Sequence, residues 1–201
     1  MRVSVIVANY NYGYYISRTL TSLISQSMPA SEFEIIVVDD CSNDISMKLL
    51  EPYLDSIRLL RADKHEGVIA ICNEGFRRAR GEFVVRVDAD DYVHKSLLEI
   101  ETLFLTENKD FEAVCCDYYK VDDKGNKIGR FDASKEPIAC GVMFRRDALI
   151  GKGLYQQTCN VWEDRDFVKQ FQTYRIPLPL YRYLQHDDSL THKEGNVAHS
   201  T

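Results

Sequence analysis

The feature that most narrows the possible folds is a repeated unit in which a short apolar run ends on polar or acidic residues and gives way to a segment of helical period. Val3 to Ala8 is continuously β-branched and apolar, and it closes on Asn9-Tyr10-Asn11-Tyr12-Gly13. Ile16, Leu20, Leu23, Ile24 and Ser27 then recur at helical spacing until Met28-Pro29 stops them. The unit repeats with an apolar run at Phe33 to Val38 closing on Asp39-Asp40. Ser42-Asn43-Asp44 opens a helix bearing Met47, Leu50 and Leu54, and a short strand follows at Ile57 to Leu60. It repeats again as a helical set at Val68, Ile71, Cys72, Phe76 and Ala79, with Gly81 at the expected C-terminus. Phe83 to Val87 is the next strand and runs into Asp88-Ala89-Asp90-Asp91. Strands apolar on both faces alternate with helices only where a parallel sheet is covered on both sides.

Beyond this the periodicity predicts a helix through Leu97, Leu98, Ile100, Leu103 and Phe104 and a strand from Ala113 to Tyr118. Residues 121–128 read as a hairpin with a polar turn. The last third is less regular, with a strand expected at Ala139 to Phe144, a helix from Glu163 to Gln172 and a strand across Leu180 to Leu184 after Pro177 and Pro179. The fold class is therefore α/β: a single domain with a Rossmann-like, mostly parallel central sheet flanked by helices and a smaller antiparallel element in the C-terminal third. No repeat or linker divides the 201 residues, so the division is one of role, at 1–118 and 119–201.

Net charge of −6 opposes binding to a nucleic-acid backbone, so no nucleic-acid partner is expected. The first apolar run is too short for a signal peptide and far short of the roughly 20 residues that span a membrane, which predicts a cytoplasmic protein. The six cysteines include no C-x-x-C pair, and reduced, mostly buried thiols are expected.

In an open parallel sheet, ligands bind beyond the carboxyl ends of the strands. That rule selects Asn9 to Tyr12, Asp39-Asp40 and Asp88 to Asp91. Carboxylates crowded on one edge raise one another's pKa unless a proton or cation sits among them. Oxygen ligands favour Mg²⁺ or Mn²⁺, and a diphosphate is the natural partner of either ion. Neither G-x-x-x-x-G-K-[ST] nor a G-x-G-x-x-G after the first strand is present, which argues against a P-loop nucleotidase and a nicotinamide dehydrogenase.

The segments VSVIVANYNYGYYISRTLTSLISQS, EIIVVDDCSND and RARGEFVVRVDADD, with the later pair Glu163-Asp164, resemble the inverting family 2 glycosyltransferases in order and spacing over roughly residues 2 to 190. The resemblance implies a glycosyltransferase-A fold and a nucleotide diphosphate sugar donor, read as UDP-linked. The acceptor is expected to be a carbohydrate or glycolipid, with peripheral contact at the inner face of the membrane. It further implies that Asn9, Tyr10, Asn11 and Tyr12 wall the nucleotide site and that Asp39 meets the base. Asp88, Ala89 and Asp90 supply the D-x-D segment, with Asp88 nearer the ribose and Asp90 on the metal. His186 joins the diphosphate and metal side, and Asp164 is the base that takes the acceptor proton. A single displacement with inversion follows, the metal meeting the charge on the leaving diphosphate.

Two departures qualify the match. Cys72-Asn73 stands where the family commonly has Arg-Asn, which leaves the base open, and the absence of Q-x-x-R-W favours addition of one sugar at a time. Asp91 is read as a cap for a helix beginning at Tyr92. Arg145-Arg146 fall where the family shapes its acceptor site, with surface placement the equal alternative. An inactive sugar-nucleotide-binding module, a nucleotidyltransferase and a phosphoacceptor signalling domain are the competing classes. The loop after Ala8 lacks the glycine-rich basic character of the second, and the residues beyond 120 have no place in the third.

Overall fold

The computed structural model describes residues 1–156 and 163–186, with the side chains of 163–165 outside the described set. Its strands are β1 Val3–Asn9, β2 Phe33–Asp39, β3 Arg58–Arg61, β4 Phe83–Asp88, β5 Tyr92–Val93, β6 Ala113–Val121, β7 Lys127–Phe131, β8 Met143–Arg145 and β9 Thr173–Leu184. The helices are α1 Gly13–Ile24, α2 Ser46–Leu50, α3 Val68–Arg78, α4 Leu97–Glu107, α5 Arg146–Gly151 and α6 Glu163–Val168.

The sheet runs β3-β2-β1-β4-β8-β6-β9-β5, with β7 paired to β6. β3, β2, β1 and β4 are mutually parallel, as the alternation predicts. β8 then enters antiparallel between β4 and β6, so β6 is not the next parallel neighbour of β4. β6 and β9 are parallel to each other, and the β6–β7 hairpin falls where the polar turn places it, closed by Asp122 N–H donating to the Asn126 carbonyl at 3.0 Å.

Every residue of β1 is buried, which is why its run is unbroken. Val3, Val5 and Val7 face one layer with Ile16, Leu20 and Leu23 of α1 and Leu97, Leu98 and Leu105 of α4. Ile6 and Ala8 face the other, with Ile71, Cys72 and Phe76 of α3, Leu149 of α5 and Phe167 of α6. Full burial of each such aliphatic side chain contributes about 1.5–3 kcal/mol. α3 sits close to β1 because a Cβ at Gly75 would collide with Ile6.

Several local expectations are corrected. Gly81 does not end α3; it lies against the backbone of Val3 and Ser4, where an added Cβ would come within 2.6 Å of Ser4 N. Pro52 converts the end of the second helix into a 3-10 turn, Glu51–Tyr53, leaving Leu54 exposed. Ile24 and Leu103 also face solvent. The strand expected at Ala139 shrinks to β8, because Gly141 adopts φ +72° and the preceding residues form a buried loop. α6 ends at Val168 rather than Gln172. β9 begins well before Pro177, because its register against β6 shifts on either side of Asp117 and so absorbs the prolines.

Cys41, Cys72, Cys115, Cys116 and Cys140 are free thiols, and Cys159 lies outside the described residues. Among the described residues no helix is long and apolar enough to cross a membrane.

Candidate active site

β2, β1 and β4 are adjacent and in register, with Asn9 opposite Asp39 and Ala8 opposite Asp88. Three chain segments distant in sequence thus end together on one edge of the sheet. Carboxylates from two of them converge there.

The first wall is tied together from within. Asn9 Nδ2 donates to Asp39 Oδ1 at 2.8 Å and to Ser42 Oγ at 3.2 Å, while Ser42 N–H donates to Asp39 Oδ2 at 3.0 Å. Asp39 is fully enclosed, and its oxygens are occupied by the loop it holds. Asn9 is buried as well, with Oδ1 lacking a protein partner among the described residues. Asn11 takes φ +58°, accepts Asn43 N–H on Oδ1 at 2.9 Å and donates its own N–H to Ser42 Oγ. Asp40 is equally buried and accepts Glu66 N–H at 2.7 Å and Gly67 N–H at 2.8 Å, which shapes the loop before α3. His65 meets Asp40 at 2.8 Å and stacks on Tyr10 with ring centroids 4.0 Å apart. Tyr10, Asn11 and His65 face solvent on this wall.

The D-x-D segment is held from behind by α1. Thr19 Oγ1 lies 2.7 Å from the Ala89 carbonyl and 2.6 Å from the Asp91 carbonyl, and Arg18 Nη2 donates to the Asp90 carbonyl at 3.1 Å. Ala89 is buried in the core, so its contribution is the backbone turn rather than a side chain. Asp88 is gripped by Arg86, Nε to Oδ1 at 2.6 Å and Nη2 to Oδ2 at 3.2 Å.

Asp90 Oδ2 lies 2.9 Å from His186 Nε2, although the two residues are 96 positions apart. The His186 ring is buried against Tyr12 and Tyr15, at centroid distances of 5.9 and 4.8 Å. Its Nδ1 has no partner among the described residues.

The electrostatics report the crowding. Burial, and after it the charges of Asp90, Asp88 and Asp91, push the Tyr12 hydroxyl far above its ordinary pKa, so it remains a donor. Burial, then Asp90 and Asp88, raise the Asp91 carboxyl well above the usual carboxylate range. Asp91 does not cap a helix: residues 92–93 form β5, and α4 starts only at Leu97. Its Oδ1 accepts Leu184 N–H and its Oδ2 accepts the Tyr181 hydroxyl, each at 2.7 Å, joining the end of β4 to β9.

Two acid sets could hold a cation. Asp88, Asp91 and Cys140 bring ligand atoms within 4.8 Å of one another. In that set Asp88 is occupied by Arg86 and Asp91 by Tyr181 and Leu184, while burial keeps the Cys140 thiol protonated. Asp90 and His186 fit an ion better, since a carboxylate oxygen and an imidazole nitrogen lie side by side at 2.9 Å and, among the described residues, these side chains are hydrogen-bonded by each other alone. One carboxylate oxygen with one imidazole nitrogen suits Mn²⁺ more than Mg²⁺.

Glu163 and Asp164 open α6, but their side chains lie outside the described residues, and the stretch beyond His186 lies outside them too. Arg145 and Arg146 are placed at the opposite edge of the sheet. Arg145 pairs with the first residue of β4, and the two guanidinium groups bind the carbonyls of Phe111, Leu105 and Ala79. Sequence reasoning missed Arg86 and Tyr181. Arg86 carried a signal, since a lone charge two residues before Asp88 in an apolar strand must share its face.

The sequence model of the family described as "Glycosyl transferase family 2" matches residues 4–171. Over 111 residues, 54% of this chain, the sequence is 39% identical to "Poly(ribitol-phosphate) beta-N-acetylglucosaminyltransferase TarS" of Staphylococcus aureus. This chain spans only 19% of that relative's length. The solved structure of S. aureus TarS 1–349 in complex with UDP-GlcNAc is similar with a TM-score of 0.83 at 23% identity, over 95% of this chain and 61% of that one. The mannosyltransferase PcManGT from Pyrobaculum calidifontis, in complex with GDP-Man and Mn²⁺, is similar with a TM-score of 0.76 at 18% identity, over 100% of this chain and 65% of that one. At these identities the structural likeness establishes the fold, of the glycosyltransferase-A type.

Proposed function

Since the chain belongs to glycosyl transferase family 2, we propose that it moves a single sugar from a UDP-linked donor to an acceptor hydroxyl with inversion at the anomeric carbon. The observation that carries this reading is the meeting of Asp90 and His186 at the edge where β1, β2 and β4 end. Asp90 and His186 would hold Mn²⁺ or Mg²⁺ there, and the ion would supply Lewis-acid neutralisation of charge on the diphosphate.

The remaining steps fall to the chain's own groups. Tyr10, with His65 beside it, offers a flat face to the base, while Asn9, Asn11 and Asp39 keep that wall in shape. Tyr12, kept protonated by burial and the acids around it, offers a hydroxyl donor facing the D-x-D segment. Arg86 fixes the Asp88 carboxylate for the ribose side. Asp164, at the start of α6, takes the acceptor proton on the face opposite the leaving group. Residues 1–118 form most of the donor half and 119–201 the acceptor half, with His186 the group that crosses between them.

Because the relative with 39% identity is named for a poly(ribitol-phosphate) acceptor, the acceptor class proposed is a cell-surface polysaccharide or glycolipid precursor, met on the cytoplasmic side. A thermal-shift panel of UDP, GDP, dTDP and CDP, each with and without Mn²⁺, tests the donor side. UDP should stabilise the fold only with the ion present, and equal shifts without it would remove Asp90 from the assigned role. Asp164→Asn should bind donor normally and lose transfer; retained transfer would remove Asp164 as the base.

A further inference from the structure

The two groups assigned to the ion follow different strands, β4 and β9, and the ladder of β9 with β6 is interrupted at Asp117 before it resumes from Tyr118–Tyr181 to Val121–Leu184. β9 shifts register against β6 around Asp117, where Pro177 and Pro179 cannot donate. On its other side it pairs with only the two residues of β5. Beside the β6 ladder, which continues with Gln185 N–H donating to the Val121 carbonyl at 2.9 Å, Asp91 grips the last residue of β9 directly, its Oδ1 accepting Leu184 N–H at 2.7 Å. Leu184 is two residues before His186, and Asp91 is the residue after Asp90, so this bond ties the two ligand-bearing segments directly to each other. The other Asp91 oxygen accepts the Tyr181 hydroxyl at 2.7 Å, and the Tyr181 oxygen in turn accepts Asp88 N–H at 3.2 Å. The ring Asp88, Tyr181, Asp91, Leu184 is buried at every side chain except Asp88, so water does not compete for its bonds.

We propose that Asp91 and Tyr181 are positioning residues that hold His186 against Asp90, so that the third acid of the D-x-D-D segment sets the geometry of the cation site without touching the ion. The proposal rests on the reading of Asp90 and His186 as the cation ligands. Removing the Asp91 carboxylate frees Leu184 N–H and lets the end of β9 drift. An Asn at the same position keeps one carbonyl for Leu184 N–H and an amide that the Tyr181 oxygen can accept. Tyr181→Phe loses the link to Asp88 N–H while leaving the Leu184 bond in place.

The test uses the full chain in wild-type, Asp91→Ala, Asp91→Asn and Tyr181→Phe forms, with a cooperative melt confirming that each folds. Mn²⁺ affinity is measured by electron paramagnetic resonance in the presence of UDP, and the His186 ring nitrogens are followed by ¹⁵N NMR in metal-free protein. Asp91→Ala should weaken Mn²⁺ binding about 10-fold or more and move the His186 resonances, with Asp91→Asn recovering most of both and Tyr181→Phe falling between. Should Asp91→Ala be too unstable, the contrast between Asp91→Asn and Tyr181→Phe decides: equal, wild-type values for both overturn the proposal. A folded Asp91→Ala with unchanged His186 resonances overturns it as well, whatever the metal data. If wild type binds no Mn²⁺ while the resonances still move in Asp91→Ala, positioning stands and the assignment of Asp90 and His186 to the ion falls.

Discussion

Strands β1, β2 and β4 and strand β9 deliver groups to the same edge of the sheet by different means. The first three lie side by side in continuous parallel register, so each brings its terminal residue to the edge by strand length alone. β9 arrives after two register shifts and two prolines, and its last residues are held by a short resumed ladder with β6 together with the Asp91 side chain of the D-x-D-D segment. Regular pairing makes a site that tolerates change in any one contact, whereas a site held through side chains concentrates its geometry in a few residues.

The largest expected effect lies where the two regions meet. Asp90→Asn should lower kcat by about 10²–10³-fold, the loss typical of removing one group that stabilises charge in the transition state. Initial rates of UDP release with saturating donor and Mn²⁺ check it. His186→Ala, which removes the contribution of β9 alone, should fall short of that by roughly tenfold. Equal losses would mean that β9 is as indispensable as the parallel strands and would erase the contrast.

Next in size is Arg86→Leu. The guanidinium is nearly buried and forks onto Asp88, so its removal strands a carboxylate in a poorly solvated place. A loss of about 3 kcal/mol in urea unfolding is expected. A loss below 1 kcal/mol would show that the end of β4 relaxes as easily as a loop.

How much of this could be read from the sequence follows the same division. β1, β2 and β4 were legible because burial on both faces demands unbroken apolar runs, and Asp39, Asp88 and Asp90 were legible because acids follow those runs directly. The contacts of Asp39 were not, since nothing in a sequence shows that Asn9 and the Ser42 N–H hold its two oxygens. In the last third β8 was overdrawn and β9 underdrawn, because a bulge at Asp117 accommodates prolines that ordinarily exclude a strand. Asp91 looked like a cap because its true partners, Tyr181 and Leu184, lie 90 and 93 residues away.

Two buried acids give pH tests of opposite sign. Glu101 on α4 is fully enclosed, with the weakly donating Cys116 thiol beside its carboxyl; burial drives its pKa well up, and that thiol offsets only part of the rise. A raised folded pKa gives a contribution present below the ordinary glutamate value and lost as pH rises through the folded value. Wild-type stability should therefore decline as pH rises from the ordinary glutamate value towards the folded one. Glu101→Met should remove that slope and gain about 1–2 kcal/mol at pH 8 in urea unfolding. A variant no more stable than wild type at pH 8 would mean that water or a partner group already satisfies the carboxylate.

Asp117 sharpens the comparison with the smallest effect. It stands at the β6–β9 register shift and accepts Arg175 Nε at 2.7 Å, Arg130 Nη2 at 2.8 Å and Ala133 N–H at 3.3 Å. Burial pushes its pKa up, but the bonds from Arg175, Arg130 and Ala133 outweigh that and leave it below the usual aspartate value. Its contribution is therefore present above the ordinary value of about 3.9 and lost as pH falls through the folded one. Both arginines are partly exposed and recover solvation when the charge is removed, so Asp117→Asn should cost only about 1 kcal/mol at pH 7, the difference vanishing in acid. If the end of β9 is held by Asp91 and the resumed ladder and not by the register at Asp117, the same variant should leave Mn²⁺ affinity within about twofold of wild type, as expected for independent sites. A larger loss of affinity would show that the register at Asp117 carries through to His186, and that β9 positions its ligand in the same way as the parallel strands.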